Sequence, residues 1–257
     1  MSQYVRIAHD DGIVVLTLDR PEKLNALTRE MYTYLAEALE QAQRDDAVRA
    51  VLIRGSETCF SSGNDIKDFL QDPPSSQDSP VFRFMHAVLA LGKPLVAAVT
   101  GPAVGIGTTL LLHCDLVYVS RDARLQVPFI NLGLTPEFGA SLILPRRLGQ
   151  ARAAELLLLG ETLDGAKAVA WGLANDVLED GAATLMRAEE AVARFRTLAP
   201  SAVTDSKRLM RNAERDVLLN VIDEEAKLFA LRLRTPEAVE AFSAFMQRRK
   251  PDFNKLG

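Results

Sequence analysis

The chain is short of the residues that disulfide-bonded, nucleic-acid-binding and metal-binding proteins depend on. Only two of its 257 residues are cysteine, Cys59 and Cys114. That is too few for a disulfide framework and implies reduced thiols in a cytoplasmic setting. Basic residues form no block and the formal net charge is -4, so a nucleic-acid role lacks electrostatic support. There are three histidines. Two of them, His9 and His86, have no cysteine or carboxylate partner at metal-ligand spacing, so no metal is expected. The opening "MSQYVRIAHDDG" lacks the apolar core of a secretory signal, and the closing "NKLG" is not a peroxisomal address. One uncharged run, Leu95 to Leu112, is long enough to raise the question of a membrane span. Gly101, Pro102, Gly105 and Gly107 interrupt it, so it reads as a buried strand, a tight turn and a buried helix.

The chain is not short of apolar residues. At 48% hydrophobic and 25% charged it has the composition of a soluble globular protein with a sizeable core, in one large domain or two small ones. "GIVVLTLDRP", Gly12 to Pro21, has the β-branched content of a strand and stops at proline. Thr28 is placed to cap a helix on which Met31, Leu35, Ala38, Leu39 and Ala42 recur at helical spacing. Further strands are expected over Ala50 to Ser56, Pro94 to Gly101 and Asp115 to Ser120. Strands and helices thus alternate over the first two-thirds, which predicts an α/β core. Gln71 to Pro80 is a proline- and serine-rich surface loop. Strands end by about Ala182, and a helical region follows Leu198, so the chain divides into a core over 1–198 and a helical region over 199–257. Its last helix is capped by Thr235 with Pro236 at the first position.

Two glycine turns follow strands, "CFSSGNDIKDF" (Cys59 to Phe69) and "GPAVGIGTTLLLHCD" (Gly101 to Asp115). Such turns expose backbone N–H groups where anions are stabilised, but a tight helix-on-strand contact needs glycine equally. "GIGTTL" has Leu110 where a dinucleotide fingerprint needs its last glycine. The third glycine-bearing segment is "NLGLTPEFGAS", Asn131 to Ser141. Between Arg124 and Arg146 its Glu137 is the one charged residue. A carboxyl among apolar neighbours has a raised pKa and can serve as a base near neutral pH, and two convergent N–H donors can hold an oxyanion. Together they suit proton abstraction beside a carbonyl. The bare residues leave a second reading open, in which Glu137 only favours the dipole of a following helix. "HCD", His113 to Asp115, lists three triad-type residues, but adjacent residues do not face one another, so His113 is read as a core or supporting histidine. Asp65 is read as a loop or helix cap, and Trp171 as packing ahead of a helix-ending Gly172. Arg146 and Arg147 are candidates for a subunit contact.

The ordered set "RPEKLNAL", "FSSGNDIKDF", "PLVAAVTGPAVGIGTTLLLHCDLVYVS", "PFINLGLTPEFGAS" and "AFMQRRKPDF" resembles the crotonase superfamily, the enoyl-CoA hydratase/isomerase family, over nearly the whole chain. The resemblance implies a spiral of ββα repeats with two roughly perpendicular sheets and a helical C-terminal trimerisation region. It implies an acyl-CoA thioester as substrate, with the backbone N–H groups of Asn64 and Ile106 as the oxyanion hole. Two hydratase glutamates are missing, since Thr109 and Phe129 stand at their places. Glu137 stands where Δ3,Δ2-enoyl-CoA isomerases carry their single catalytic acid. The resemblance further places Lys23, Leu24, Ala26, Ser62, Asp65, Ile66, Lys67, Phe245 and Arg248 at CoA, with Phe245 and Arg248 reaching a neighbouring subunit's CoA. Phe129, Leu134 and Phe138 are expected to wall the acyl pocket. The expected function is therefore Δ3,Δ2-enoyl-CoA isomerase in a homotrimer or dimer of trimers, with no cofactor beyond the CoA of the substrate and no nucleic-acid or membrane partner. A hydratase, another single-acid acyl-CoA reaction, or a non-catalytic acyl-CoA- or RNA-binding member are the rival readings.

Overall fold

The computed structural model describes residues 3–71 and 79–256. Most of the expected loop over Gln71 to Pro80 lies outside the described residues. Strands β1 (Val5–Asp10), β2 (Ile13–Leu18), β3 (Ala50–Arg54), β4 (Leu95–Val99), β6 (Leu116–Ser120) and β9 (Asp176–Leu178) form one sheet in the order β1-β2-β3-β4-β6-β9. β1 and β2 run antiparallel as a hairpin, and the rest are parallel. A second sheet joins β5 (Pro102–Val104), β7 (Arg124–Gln126) and β8 (Thr162–Asp164). Helices α1 (Arg29–Arg44), α2 (Ile66–Gln71), α3 (Pro80–Ala90), α4 (Ile106–Thr109), α5 (Ala140–Leu148), α6 (Gln150–Leu159), α7 (Gly165–Ala170) and α8 (Gly181–Ala193) alternate with these strands, and α9 (Pro200–Asn212), α10 (Arg215–Arg232) and α11 (Pro236–Met246) complete the C-terminal region.

The period-two alternation of a strand sorts side chains onto two faces. Val14, Leu16, Val51, Ile53, Leu95, Ala97, Val117 and Val119 face the main core, packed with α1 and α3. Ile13, Ala50, Leu52, Val96, Ala98 and Tyr118 face the other side, where Ala188, Ala191 and Val192 of α8 cover them. β4 is buried on both faces, which is why it reads as an uninterrupted apolar run. Side chains such as Phe60, Phe84 and Phe138 are fully buried, each stabilising the fold by roughly 1.5–3 kcal/mol through area removed from water. Thr28 caps α1 by accepting from the Met31 N–H at 3.2 Å, and Thr235 caps α11 by accepting from the Ala238 N–H at 3.3 Å. The uncharged run resolves into β4, a turn, β5 and α4. Among the described residues no helix is long and apolar enough to cross a membrane.

The C-terminal helices are built onto the core. Ile222 and Phe229 of α10 and Ala238 and Phe242 of α11 belong to the same buried cluster as the main sheet. α10 packs on α5, and α11 packs on the 3-10 turn Pro128–Leu132. Helices α10 and α11 therefore close over the face where the glycine turns emerge.

Candidate active site

After β3 the chain turns and runs from Phe60 to Asn64 beside β5. The Phe60 N–H donates to the Thr100 carbonyl, the Ser61 N–H to the Pro102 carbonyl, and the Val104 N–H back to the Ser61 carbonyl. On its other side Asn64 bridges Leu27, with the Leu27 N–H donating to the Gly63 carbonyl and the Asp65 N–H to the Leu27 carbonyl. Gly63 makes this close approach possible. Its φ is +91°, and a Cβ there would stand 2.7 Å from the Val104 carbonyl oxygen. Gly105, at φ +56° and ψ -119°, then turns the chain into α4, so that Ile106 supplies the first N–H of that helix. Among the described residues neither the Asn64 nor the Ile106 N–H donates to a backbone carbonyl. Two unspent donors on adjoining segments are what an oxyanion hole requires.

Both residues line a cavity of about 910 Å³. Lys23, Leu24, Ala26, Ser62, Asp65, Ile66, Lys67, Phe129 and Leu134 line it too, so the structure brings these residues assigned to CoA and the acyl group together; Phe245, expected at a neighbouring subunit's CoA, lines the cavity of its own chain. The 3-10 turn Pro21–Lys23 is tied to the glycine turn, since the Ser62 N–H donates to the Leu24 carbonyl at 2.8 Å and the Ser62 hydroxyl to the Lys23 carbonyl at 3.2 Å. Asp65 accepts from Arg20 at 2.7 Å and from the Lys67 and Asp68 N–H groups at 3.0 and 3.2 Å. Partial burial opposes its charge, but Arg20 and these backbone donors outweigh that and hold its carboxyl below the usual range. Arg248 is the other residue expected at a neighbouring subunit's CoA. It is exposed, with φ +55° just past the end of α11, and it does not line the cavity; Arg249 does, while paired with Glu240. The chain reverses at Arg248, which swings the next arginine toward the cavity.

Glu137 and Phe138 do not line the large cavity. They border an adjoining space of about 20 Å³ with Phe69, Val81, Phe82, Met85, Ile222, Ala226 and Phe229. Phe69 and Phe229 line both spaces, so they form the partition between them. The acyl wall predicted for Phe138 thus belongs to the carboxyl's own compartment. Glu137 is 8% exposed, and its Oε1 is buried with no hydrogen-bond partner among the described residues. Burial raises its pKa to about 8, with the charge of Glu225 adding to the shift. Thr109 is fully buried and Phe129 nearly so; neither brings an ionisable group.

The other reactive groups are spoken for. His113 is buried, its Nε2 lies 2.7 Å from the Phe138 carbonyl oxygen, and burial pushes its pKa down to about 3. It supports the Glu137 turn and does not pair with Asp115. Asp115 accepts from Lys207 and Arg211, each at 2.7 Å. Burial pushes Cys59 up to about 11 and Cys114 to about 12, so neither is a thiolate nucleophile at neutral pH. Arg146 pairs with Glu214 within the chain, and Arg147 donates to the Leu112 carbonyl. Among the described residues no group of His, Cys, Asp and Glu is arranged to hold a metal.

Three site residues were not foreseen. Asn25, buried at φ +53°, donates to the Cys59 and Phe60 carbonyls at 3.1 Å each and pins the CoA-side loop to the glycine turn. Tyr32 bonds its hydroxyl to the Asn64 side chain, and burial, then Glu137 and Asp68, raise its pKa well above the ordinary value. Glu225 is the third. Its sequence signal lies in its spacing, three residues after Ile222 and four before Phe229 on the buried stripe of α10.

A family model described as enoyl-CoA hydratase/isomerase matches residues 8–256. The 1,2-epoxyphenylacetyl-CoA isomerase of Escherichia coli (strain K12) is 35% identical over 98% of this chain and 99% of its own. Enoyl-CoA delta isomerase 2 of Rattus norvegicus is 35% identical over 96% of this chain and 64% of its own. Relatives named as hydratases match as well. Among solved structures, OdaA of Pseudomonas aeruginosa is 62% identical, with a TM-score of 0.94 over 96% of this chain and 100% of that one.

Proposed function

Because the chain belongs to the enoyl-CoA hydratase/isomerase family and is an acyl-CoA enzyme of crotonase fold, we propose that it is a Δ3,Δ2-enoyl-CoA isomerase with Glu137 as its proton carrier. The observation that carries this reading is that Glu137 is the one acid among the described residues bordering its compartment. It is a buried carboxyl with an unpartnered oxygen, and no acid stands at Thr109 or Phe129. CoA occupies the large cavity as part of the substrate, and the route needs no other cofactor. The thioester oxygen lies between the Asn64 and Ile106 N–H groups. Ionised Glu137 takes a proton from C2 of a 3-enoyl-CoA, and the electron pair of that C–H bond spreads into a dienolate whose charge rests on the thioester oxygen. The same carboxyl, now neutral, gives its proton to C4. The carbonyl re-forms, the double bond lies between C2 and C3, and the carboxylate is restored. Phe69 and Phe229 line both spaces, so the acyl group must pass between them for its C2 and C4 to meet Glu137. Hydration would need a second group to position water, and Thr109 and Phe129 supply no charge for it.

A carboxyl with a pKa of about 8 is near the operating pH and can both accept and return a proton. The sign follows from its role as base: kcat/KM for a 3-enoyl-CoA should rise with pH at unit slope and level off near pH 8. A flat profile between about pH 6 and pH 9 would exclude Glu137 as the titrating base. This reading also places the enzyme in a reducing cytoplasmic setting, consistent with its two free, buried thiols, and in a homotrimer or a pair of trimers. Leu209, Met210 and Leu231 on the C-terminal helices are 69%, 82% and 64% exposed, apolar side chains that a subunit contact through this region would cover. Sedimentation equilibrium should return three or six chain masses; a monomer at micromolar concentration would rule the assembly out.

A further inference from the structure

We propose that Glu225 is a positioning residue for Glu137: from α10 it caps the turn that carries Glu137 and holds a fixed negative charge beside it. This rests on the reading of Glu137 as the proton carrier. α5 starts without a cap of its own, because its N-cap residue is Gly139. The orphan N–H groups of its first turn find their acceptor 86 residues away. One oxygen of Glu225 accepts from the Gly139 N–H at 2.6 Å, and the other accepts from the Ser141 N–H at 2.9 Å and the Ser141 hydroxyl at 2.5 Å. The side chain is buried, and two of its three donors lie at a helix start, where negative charge is favoured.

The turn held in this way is an uncommon one. Phe138 has φ +58° and Gly139 φ +75°, and residues with side chains rarely adopt the first of these. His113 grips the opposite side, stacked on Phe138 at 3.9 Å between centroids and bonded to its carbonyl. Glu137 directly precedes this clamped pair, so its direction is set by Glu225 on one side and His113 on the other.

The two glutamates differ in their partners. Glu225 has three donors, whereas Oε1 of Glu137 has none among the described residues. Burial raises the pKa of Glu225 as well, but three donors to its charged form pull against that and Glu137 has no such offset, so Glu225 ionises ahead of Glu137, which titrates next to its charge. The other titratable groups facing this pair are Tyr32 on α1, raised by burial, and His113, neutral through burial. Arg147, Lys207 and Arg211 act on His113 and Cys114 and not on either glutamate, so no cation cancels the Glu225 charge at Glu137.

The test is Glu225→Gln in the full chain, which keeps the shape, removes the charge and turns one acceptor into a donor. The rising limb of kcat/KM for a 3-enoyl-CoA should move down by roughly one pH unit. Plateau kcat should fall about tenfold as the turn loosens, with KM little changed because Glu225 does not line the large cavity. Ser141→Ala removes one donor and keeps the charge, so it should lower plateau kcat with the limb left in place; it also serves if Glu225→Gln fails to fold. Infrared titration of the Glu137 carboxyl in ligand-free protein, assigned by difference against Glu137→Gln, reads the same shift without any substrate. A shift in that titration with no isomerisation by the wild-type enzyme would sink the functional reading and leave the Glu225 assignment standing. An unmoved titration and unchanged kcat in both variants, with only a lowered melting temperature, would overturn the assignment.

Discussion

Glu137→Gln should lower kcat for 3-enoyl-CoA isomerisation by about 10³–10⁴-fold and leave CoA affinity intact. A positioned acid–base group contributes typically 10²–10⁴ to a rate. Here the same carboxyl serves both halves of the transfer, which puts its removal at the upper end. Glutamine keeps the volume of glutamate in a compartment with no room to rearrange, bounded by Phe69, Phe229 and their neighbours. It cannot take up a proton at any accessible pH. CoA affinity should persist because the residues assigned to CoA line the larger space, and Glu137 does not. Inhibition by free CoA measures that part separately. Turnover retained within tenfold would move the base elsewhere, and among the described residues no acid stands at Thr109 or Phe129 to take its place.

The second large effect belongs to a residue with no side chain. Gly63→Ala should lower kcat by about 10²–10³-fold, the loss seen when one oxyanion donor is removed. A Cβ at Gly63 would meet the Val104 carbonyl oxygen at 2.7 Å, and that oxygen is backbone and cannot swing away. Relief requires the Ser61 to Asn64 segment to separate from β5, which takes the Asn64 N–H off its aim at the thioester oxygen. The same substitution also strains a φ of +91°. Gly149→Ala isolates that contribution, since Gly149 has φ +80° and nothing within 4 Å of its would-be Cβ. It should cost roughly 1–3 kcal/mol of stability through strain alone and leave kcat unchanged. Equal losses of kcat in both variants would mean that the Gly63 effect is global destabilisation and not a misplaced donor.

The sequence and the structure agree where the chain repeats a simple period. The stripe through Met31, Leu35 and Ala42, the caps Thr28 and Thr235, and the unbroken run of β4 all follow from local rules. β1 stayed hidden because only Val5 of its six residues is buried, so it shows no alternation. β5, β7 and β8 have three residues each, too short for any periodicity to register. The two glycine turns and Glu137 were legible as types of residue, and the resemblance to a family gave them roles. Their convergence was not legible, since it depends on Ser61 pairing with Ala103 and Leu27 with Asn64 across the fold. Tyr32 and Glu225 act through contacts 32 and 86 residues away in the chain, to Asn64 and Gly139. Three acids stand in a row at Asp223, Glu224 and Glu225, and only the helical phase of α10 selects the one that turns inward.

The central claim is that one carboxyl moves a proton within a bound 3-enoyl-CoA and adds no water. Chromatographic identification of the products from purified enzyme and a 3-enoyl-CoA, run in parallel with a 2-enoyl-CoA, tests it directly. Conversion of the 3-enoyl to the 2-enoyl thioester, with no 3-hydroxyacyl-CoA accumulating in either reaction, is the predicted result. Steady formation of 3-hydroxyacyl-CoA from the 2-enoyl substrate, with the double bond of the 3-enoyl substrate left in place, would contradict it.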